Sequence, residues 1–410
     1  MEKDYPKVIC VMREYGFTDS TINKVFNNYI TSKFPEETLY NRICDIIKCL
    51  GNSPFSYDKE IIIKIIDGFT QILGYTVESL NEKFSLYVEL GHKSDKLREM
   101  IRKYPQILGY DVGRVKNNIE GFIDFGFSYN KVLTMAEKHP QMYNTSIEEL
   151  NRKMNFFIGL GYKREDVIRI FGKLPQILDL TDGYITDRIS LFVEYGIPLK
   201  NVLKISVRTP ELFSYSSNNI DSKYNDLISL GYDSLEVIRI FEKLPTIFGL
   251  SIEIIKEKLD NFVSLGFSYR QALTITSSFP SVLGLSVDNV CDKFNSLLEL
   301  GYSLDDVVNT VVIFPQILSY SSDHLSEKSR YYKSVGLSEL FIKAPRNLMQ
   351  STRLSYARRE YLKVLGISIS MDNFNELFRK ESDFLHLYDI STDCLLQIYD
   401  YDKAKGELYG

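Results

Sequence analysis

One position of this chain carries a cation at a fixed interval. Lys83, Lys153, Arg188, Lys223, Lys258, Lys293 and Lys328 stand in 35-residue phase, broken only by Asn118. Arg358 follows after a shorter step. A line of cations at regular spacing suits a polyanion backbone, where each ammonium or guanidinium neutralises one phosphate. The same regularity suits a second use. A Lys at the border of a core can lay its stem on apolar neighbours and bridge to an acid or carbonyl of the next repeat. Both readings stay open from spacing alone, because packing between repeats demands periodicity too.

Two further groups of cations have phase. Lys103, Lys138, Lys173, Arg208 and Lys243 stand two residues before successive prolines; Ser278 and Ile313 interrupt the series, and Lys343 resumes it. Arg169, Lys204 and Arg239 lie one helical turn earlier, which makes a stripe of ligand contacts or a solvated helix end where cations are mildly favourable. The third group is the segment 328–363, where Lys328, Arg330, Lys333, Lys343, Arg346, Arg353, Arg358, Arg359 and Lys363 face only Glu339 and Glu360. Tyr331, Tyr332, Tyr356 and Tyr361 interleave with it, as base-stacking rings or as core.

The elements that position these residues follow from the spacing. Pro105, Pro140, Pro175, Pro210, Pro245, Pro280 and Pro315 step by 35, as do the glycines from Gly91 to Gly336. Such a period is the signature of a solenoid. Helix A begins at caps such as Ser146 with Glu149 three residues on, and ends at the Gly, which suits a left-handed C′ position. Leu150, Met154, Phe157, Ile158 and Leu160 give its apolar face, repeated by Ile185, Ile189, Phe192, Val193 and Tyr195, and by Ile255, Leu259, Phe262, Val263 and Leu265. Helix B opens with caps such as Asp233…Glu236 and Ser303…Asp306, and stops at the Pro. Its core face is Val167, Ile168, Ile170, Phe171 and Leu174. The Pro-x-Ile-Leu that follows predicts a short docked turn.

The fold class expected is therefore all-α, a curved superhelical solenoid of about nine repeats of two α-helices and one short turn. Residues 1–75 read as degenerate capping repeats, 76–320 as regular repeats, 321–385 as irregular repeats with the basic segment, and 386–410 as an acidic tail. Helix B after Gly336 should be short, because Pro345 follows in only nine residues. A last copy starts at Gly366, with Ser382 at the Pro position.

The LG(Y/F) end of helix A, the run DVIRIFGKLPQIL (166–178) and the segment IKAPRNL (342–348) carry a resemblance over roughly residues 16–385. The chain resembles the mitochondrial transcription termination factor (mTERF) family. That resemblance implies two α-helices plus a 3₁₀ helix per repeat. It also implies nucleic-acid binding in transcription, ribosome biogenesis or RNA processing.

Composition bounds the rest. The formal net charge is −5, which argues against indiscriminate nucleic-acid binding. From Asp372 onward nine acids face four bases, so the tail carries that whole charge and residues 1–371 are neutral. The five cysteines are scattered without a CxxC pair and the four histidines form no ligand pattern, so no metal or cofactor is expected. No P-loop, GxSxG, HExxH or Gly-rich dinucleotide turn occurs, and no enzyme is expected. There is no 18-residue apolar run, hence no membrane partner. The start MEKDYPKVIC has an early acid pair, Glu2 and Asp4, and no apolar h-region. A cytoplasmic chain is the expectation, an organellar one if the sequence is a mature form.

The leading expectation is a monomeric nucleic-acid-binding repeat protein that regulates transcription, as in termination, or RNA metabolism. It would hold DNA or RNA by backbone contacts in a basic groove formed by Lys153, Arg188, Lys223, Lys258, Lys293, Lys328, Arg346, Arg353, Arg358 and Arg359. The alternative is a protein-interaction scaffold that kept the fold without nucleic-acid affinity.

Overall fold

The computed structural model describes residues 5–409. The acid pair Glu2 and Asp4 lies outside them. Among the described residues there are helices and no strand, in ten successive triplets of helix A, helix B and a 3₁₀ turn. The chain divides into two compact units, residues 1–194 with 198–214, and residues 195–197 with 215–410. Six triplets fall in the first unit and four in the second.

One triplet shows how the sequence builds each. Helix A runs Ile147–Gly159, helix B Arg164–Lys173 and the 3₁₀ turn Pro175–Asp179. Ser146 Oγ accepts from the Glu149 N–H, as the cap predicts. The reciprocal half of a capping box is absent there, because the Glu149 carboxylate is taken by Arg152. Asp233 and Glu236 form the complete box. Helix A ends at Gly161 with φ +101°, and the Tyr162 N–H reaches back to the Phe157 carbonyl at 3.2 Å. Only Gly holds that left-handed position cheaply.

Helix B buries Val167, Ile170 and Phe171, and Leu174 closes its end. Pro175 then starts the turn, whose Ile177 and Leu178 are buried, as are Ile247 and Phe248 one unit on. The turn packs on the helix B before it and on the preceding repeat's helix B and turn. Helix A differs from expectation. The buried face of Ile147–Gly159 is Leu150, Lys153, Met154 and Phe157, with i, i+3, i+4, i+7 spacing. Ile158 is 43% exposed, and Val193 and Val263 are alike at 41% and 42%. The ladder cation therefore stands inside the buried stripe, and Ile158, counted in the expected face, stands outside it.

At the C-terminal end, helix B after Gly336 is the four-residue Leu340–Lys343, short as expected. The copy expected after Gly366 is not built. No helix lies between Gly366 and the 3₁₀ turn Phe374–Phe378, and Ser382 sits inside the helix Glu381–Tyr388. The segment Ser368–Asn373 instead closes on itself through the Asn373 side chain, which blocks helical pairing. The acidic tail folds into the helices Thr392–Ile398 and Tyr401–Tyr409, packed on Thr352–Val364.

Candidate nucleic-acid interface

The helix-A cations do not share an open surface. Lys153, Arg188, Lys223, Lys328 and Arg358 are buried, and Lys258 and Lys293 are half-buried. The lysine ammoniums meet backbone carbonyls at one structurally repeated place, the residue that follows a 3₁₀ turn. Lys83 Nζ donates to the Tyr110 carbonyl at 2.8 Å and Lys223 Nζ to the Leu250 carbonyl at 2.5 Å. Lys258 donates to Leu285, Lys293 to Tyr320 and Lys328 to Gln350. Lys153 reaches the Leu180 carbonyl and the Asp182 carboxylate, the latter at 2.9 Å. Asn118, the break in the series, donates its Nδ2 to the Tyr143 carbonyl at 2.7 Å, inside the turn Pro140–Asn144 rather than after it. Arg358 donates to the Leu377 and Arg379 carbonyls at 2.9 and 2.7 Å. The Arg188 guanidinium lies over the Tyr184 ring at 4.3 Å.

This geometry corrects the expected groove. The acceptors are extended residues between a 3₁₀ turn and the next helix A, with carbonyls outside any helical ladder. A long cationic side chain from helix A satisfies each one and fastens the helix to the end of its own repeat. The phosphate and bridging readings made the same demand on spacing. Burial separates them, since a phosphate cannot reach an enclosed ammonium.

Lys328 shows what the enclosure costs. Burial pulls its ammonium down to about 8, with Glu327 partly opposing the fall. The unfolded chain holds this proton up to about 10.5, so between the two values it binds more protons than the folded chain, and stability rises with pH. Relative to Lys328→Met, the wild type is expected to gain roughly 2–3 kcal/mol between pH 7 and pH 10. Urea denaturation of both proteins across that range checks it. A constant difference would show that the ammonium is not desolvated.

Three cations of the basic segment are paired with acids. Arg353 pairs with Asp402 at 2.6 Å, Arg359 with Glu360 at 2.6 Å and Lys343 with Glu339 at 2.6 Å. Tyr331 and Tyr332 are fully buried, and the Tyr361 hydroxyl donates to the Tyr388 carbonyl, so these rings serve the core. Of the expected contact residues, Arg346 is exposed, with no side-chain partner among the described residues.

What remains open is the helix-B stripe. In the first unit Lys103, Lys138, Lys173 and Arg208 are exposed, each the last residue of its helix. Lys173 Nζ donates to the Arg208 carbonyl at 2.8 Å, linking one helix end to the next. Helix Leu199–Arg208 adds Lys200 and Lys204, which with Arg208 make an exposed i, i+4, i+8 row on a helix without an acid. In the second unit the stripe is shorter: Arg239 and Lys243 are exposed, and Lys243 caps the Ser278 carbonyl at 2.8 Å.

Comparison with known proteins follows the same repeat. The sequence model of the mTERF family matches residues 6–184 and, in an overlapping segment, 159–321. The chain belongs to the mTERF family. No curated protein matches it. mTERF membership points to nucleic-acid binding and to regulation in transcription or RNA metabolism. Among the described residues no helix is long and apolar enough to cross a membrane.

Proposed function

We propose that this mTERF protein binds nucleic acid through the sugar–phosphate backbone, along the helix-B stripe of its first unit, and acts in transcription, as in termination, or in RNA metabolism. The observation that carries the reading is the run of exposed cations Lys103, Lys138, Lys173 and Arg208, one per repeat over four repeats. Cations are mildly favourable at helix C-termini. The helix-A cations Lys153, Arg188, Lys223, Lys328 and Arg358 are buried instead.

The reading predicts binding at low salt to duplex DNA, single-stranded DNA and RNA, weakening linearly in log–log salt and little affected by sequence, because phosphates carry no sequence information. A salt-titrated fluorescence-anisotropy assay measures this. Absence of binding at low salt would favour the second reading, a protein-interaction scaffold. One observation supports that alternative: Val88, Ile123, Ile158 and Val193 form a periodic row of partly exposed apolar side chains on the first unit's A helices.

A further inference from the structure

The geometry points to the A-helix face of the first unit as the seat of a cationic, amphipathic helix from a partner protein. This face uses none of the residues of the helix-B stripe, so the inference holds whether or not the stripe binds nucleic acid.

The face is built by the helices Val77–Glu89, Val112–Phe125, Ile147–Gly159 and Asp182–Glu194. Neighbours among them touch. A Cβ at Gly121 would lie 2.5 Å from Ile147 Cγ1, and Arg152 reaches forward to pair with Asp182. Val88, Ile123, Ile158 and Val193 each stand three residues before the Gly that ends helix A, and each is more than a third exposed. One phase on adjoining helices makes them a line across the repeats.

Beside that line the face is acidic. Glu89, Asp124 and Glu194 directly follow Val88, Ile123 and Val193; only Ile158 is followed by a glycine, Gly159. All three acids are exposed, with no side-chain partner among the described residues. None of the four helices has a cation in its last turn. An anion there opposes the helix dipole, where a cation is favoured. The B helices make the ordinary choice, ending in Lys103, Lys138, Lys173 and Arg208. The acids of helix A therefore do not serve the helices that carry them.

That combination selects the occupant. Acids repel a phosphate backbone and an anionic membrane surface alike. A second copy docked face to face would set acid against acid. A partner with lysines or arginines beside apolar side chains satisfies both features, and spacing gives its form. Packed helices lie about 8–10 Å apart, and seven residues of an α-helix rise about 10.5 Å. A helix laid across the four A helices, with one apolar side chain per heptad, meets Val88, Ile123, Ile158 and Val193 in turn.

The test uses a fluorescent helical peptide of about 28 residues, with Leu at every seventh position and Lys on either side of each Leu. One control peptide carries Glu for every Lys, the other Ser for every Leu. Anisotropy titrations should show the Lys/Leu peptide binding about tenfold more tightly than either control. Ile123→Ser with Ile158→Ser should weaken it about tenfold and leave duplex DNA binding as it is. Glu89→Lys with Glu194→Lys should weaken it as much and let the Glu-bearing peptide bind instead. The melting temperature of that second variant should hold or rise, since its lysines stand at helix C-termini. Equal binding of the Lys and Glu peptides, or an affinity unmoved by both variants, overturns the inference. A sedimentation coefficient that rises with concentration in the wild type, and not in the Ile123→Ser, Ile158→Ser variant, gives the face to a second copy and overturns it as well.

Discussion

Ile177→Ala is expected to destabilise the first unit by about 2–5 kcal/mol, as truncation of buried aliphatic side chains does. Ile177 is fully buried in the turn Pro175–Asp179, and its N–H and carbonyl both hold the turn closed, to Leu174 and from Leu180. The turn packs against two consecutive B helices and against the turn before it, so the cavity opens at a joint between repeats rather than within one. Repeats contact only their neighbours, and a weakened joint loosens the stack locally. Urea denaturation should therefore show a lower midpoint together with a shallower transition, as cooperativity across the joint falls. A loss below about 0.5 kcal/mol would show that the turn adds nothing to the packing, against the range for buried residues.

The second large effect is assigned to the helix-A cations. Lys223→Ala with Lys258→Ala should lower stability by about 2–6 kcal/mol in total, because each change leaves a carbonyl without its partner and removes a buried stem. Leu250 and Leu285 are the carbonyls concerned, in consecutive repeats of the second unit. The two changes lie in adjoining repeats, so their effects need not add. Lys223→Met with Lys258→Met should recover part of the loss, since Met restores the stem without the donor. A melting temperature unchanged in the Ala pair would mean that the ammoniums hold nothing together.

Much of this architecture was legible in the sequence because the determining interactions are local. Gly161 and Pro175 each act within a turn of backbone, so their 35-residue phase gave the helix ends directly. Ile177 and Leu178 repeat with that phase and are buried. Lys153 was not legible in the same way. Its acceptors, the Leu180 carbonyl and Asp182, lie 27 and 29 residues on, and no local pattern says whether a border cation turns toward them or toward solvent. Apolar character misled at Ile158, because counting hydrophobic residues centres the helix-A face too far round and hides the fact that a lysine fills a core position. Arg353 failed differently. Its partner Asp402 belongs to the tail, 49 residues away, which the sequence reads only as a separate block of negative charge.

The division of labour between the two sets of cations is the centre of this account, and the salt dependence of duplex binding tests it most directly. The measurement is the slope of log affinity against log salt for the wild type and for Lys138→Ala with Lys204→Ala, two exposed positions on the helix-B stripe of the first unit. Each phosphate contact contributes about 0.9 to the slope on duplex DNA. The double variant should therefore lose about 2 units of slope at unchanged melting temperature, while Lys223→Met with Lys258→Met keeps the wild-type slope. A wild-type slope in the helix-B variant, with the loss appearing in the helix-A variant instead, would contradict the account.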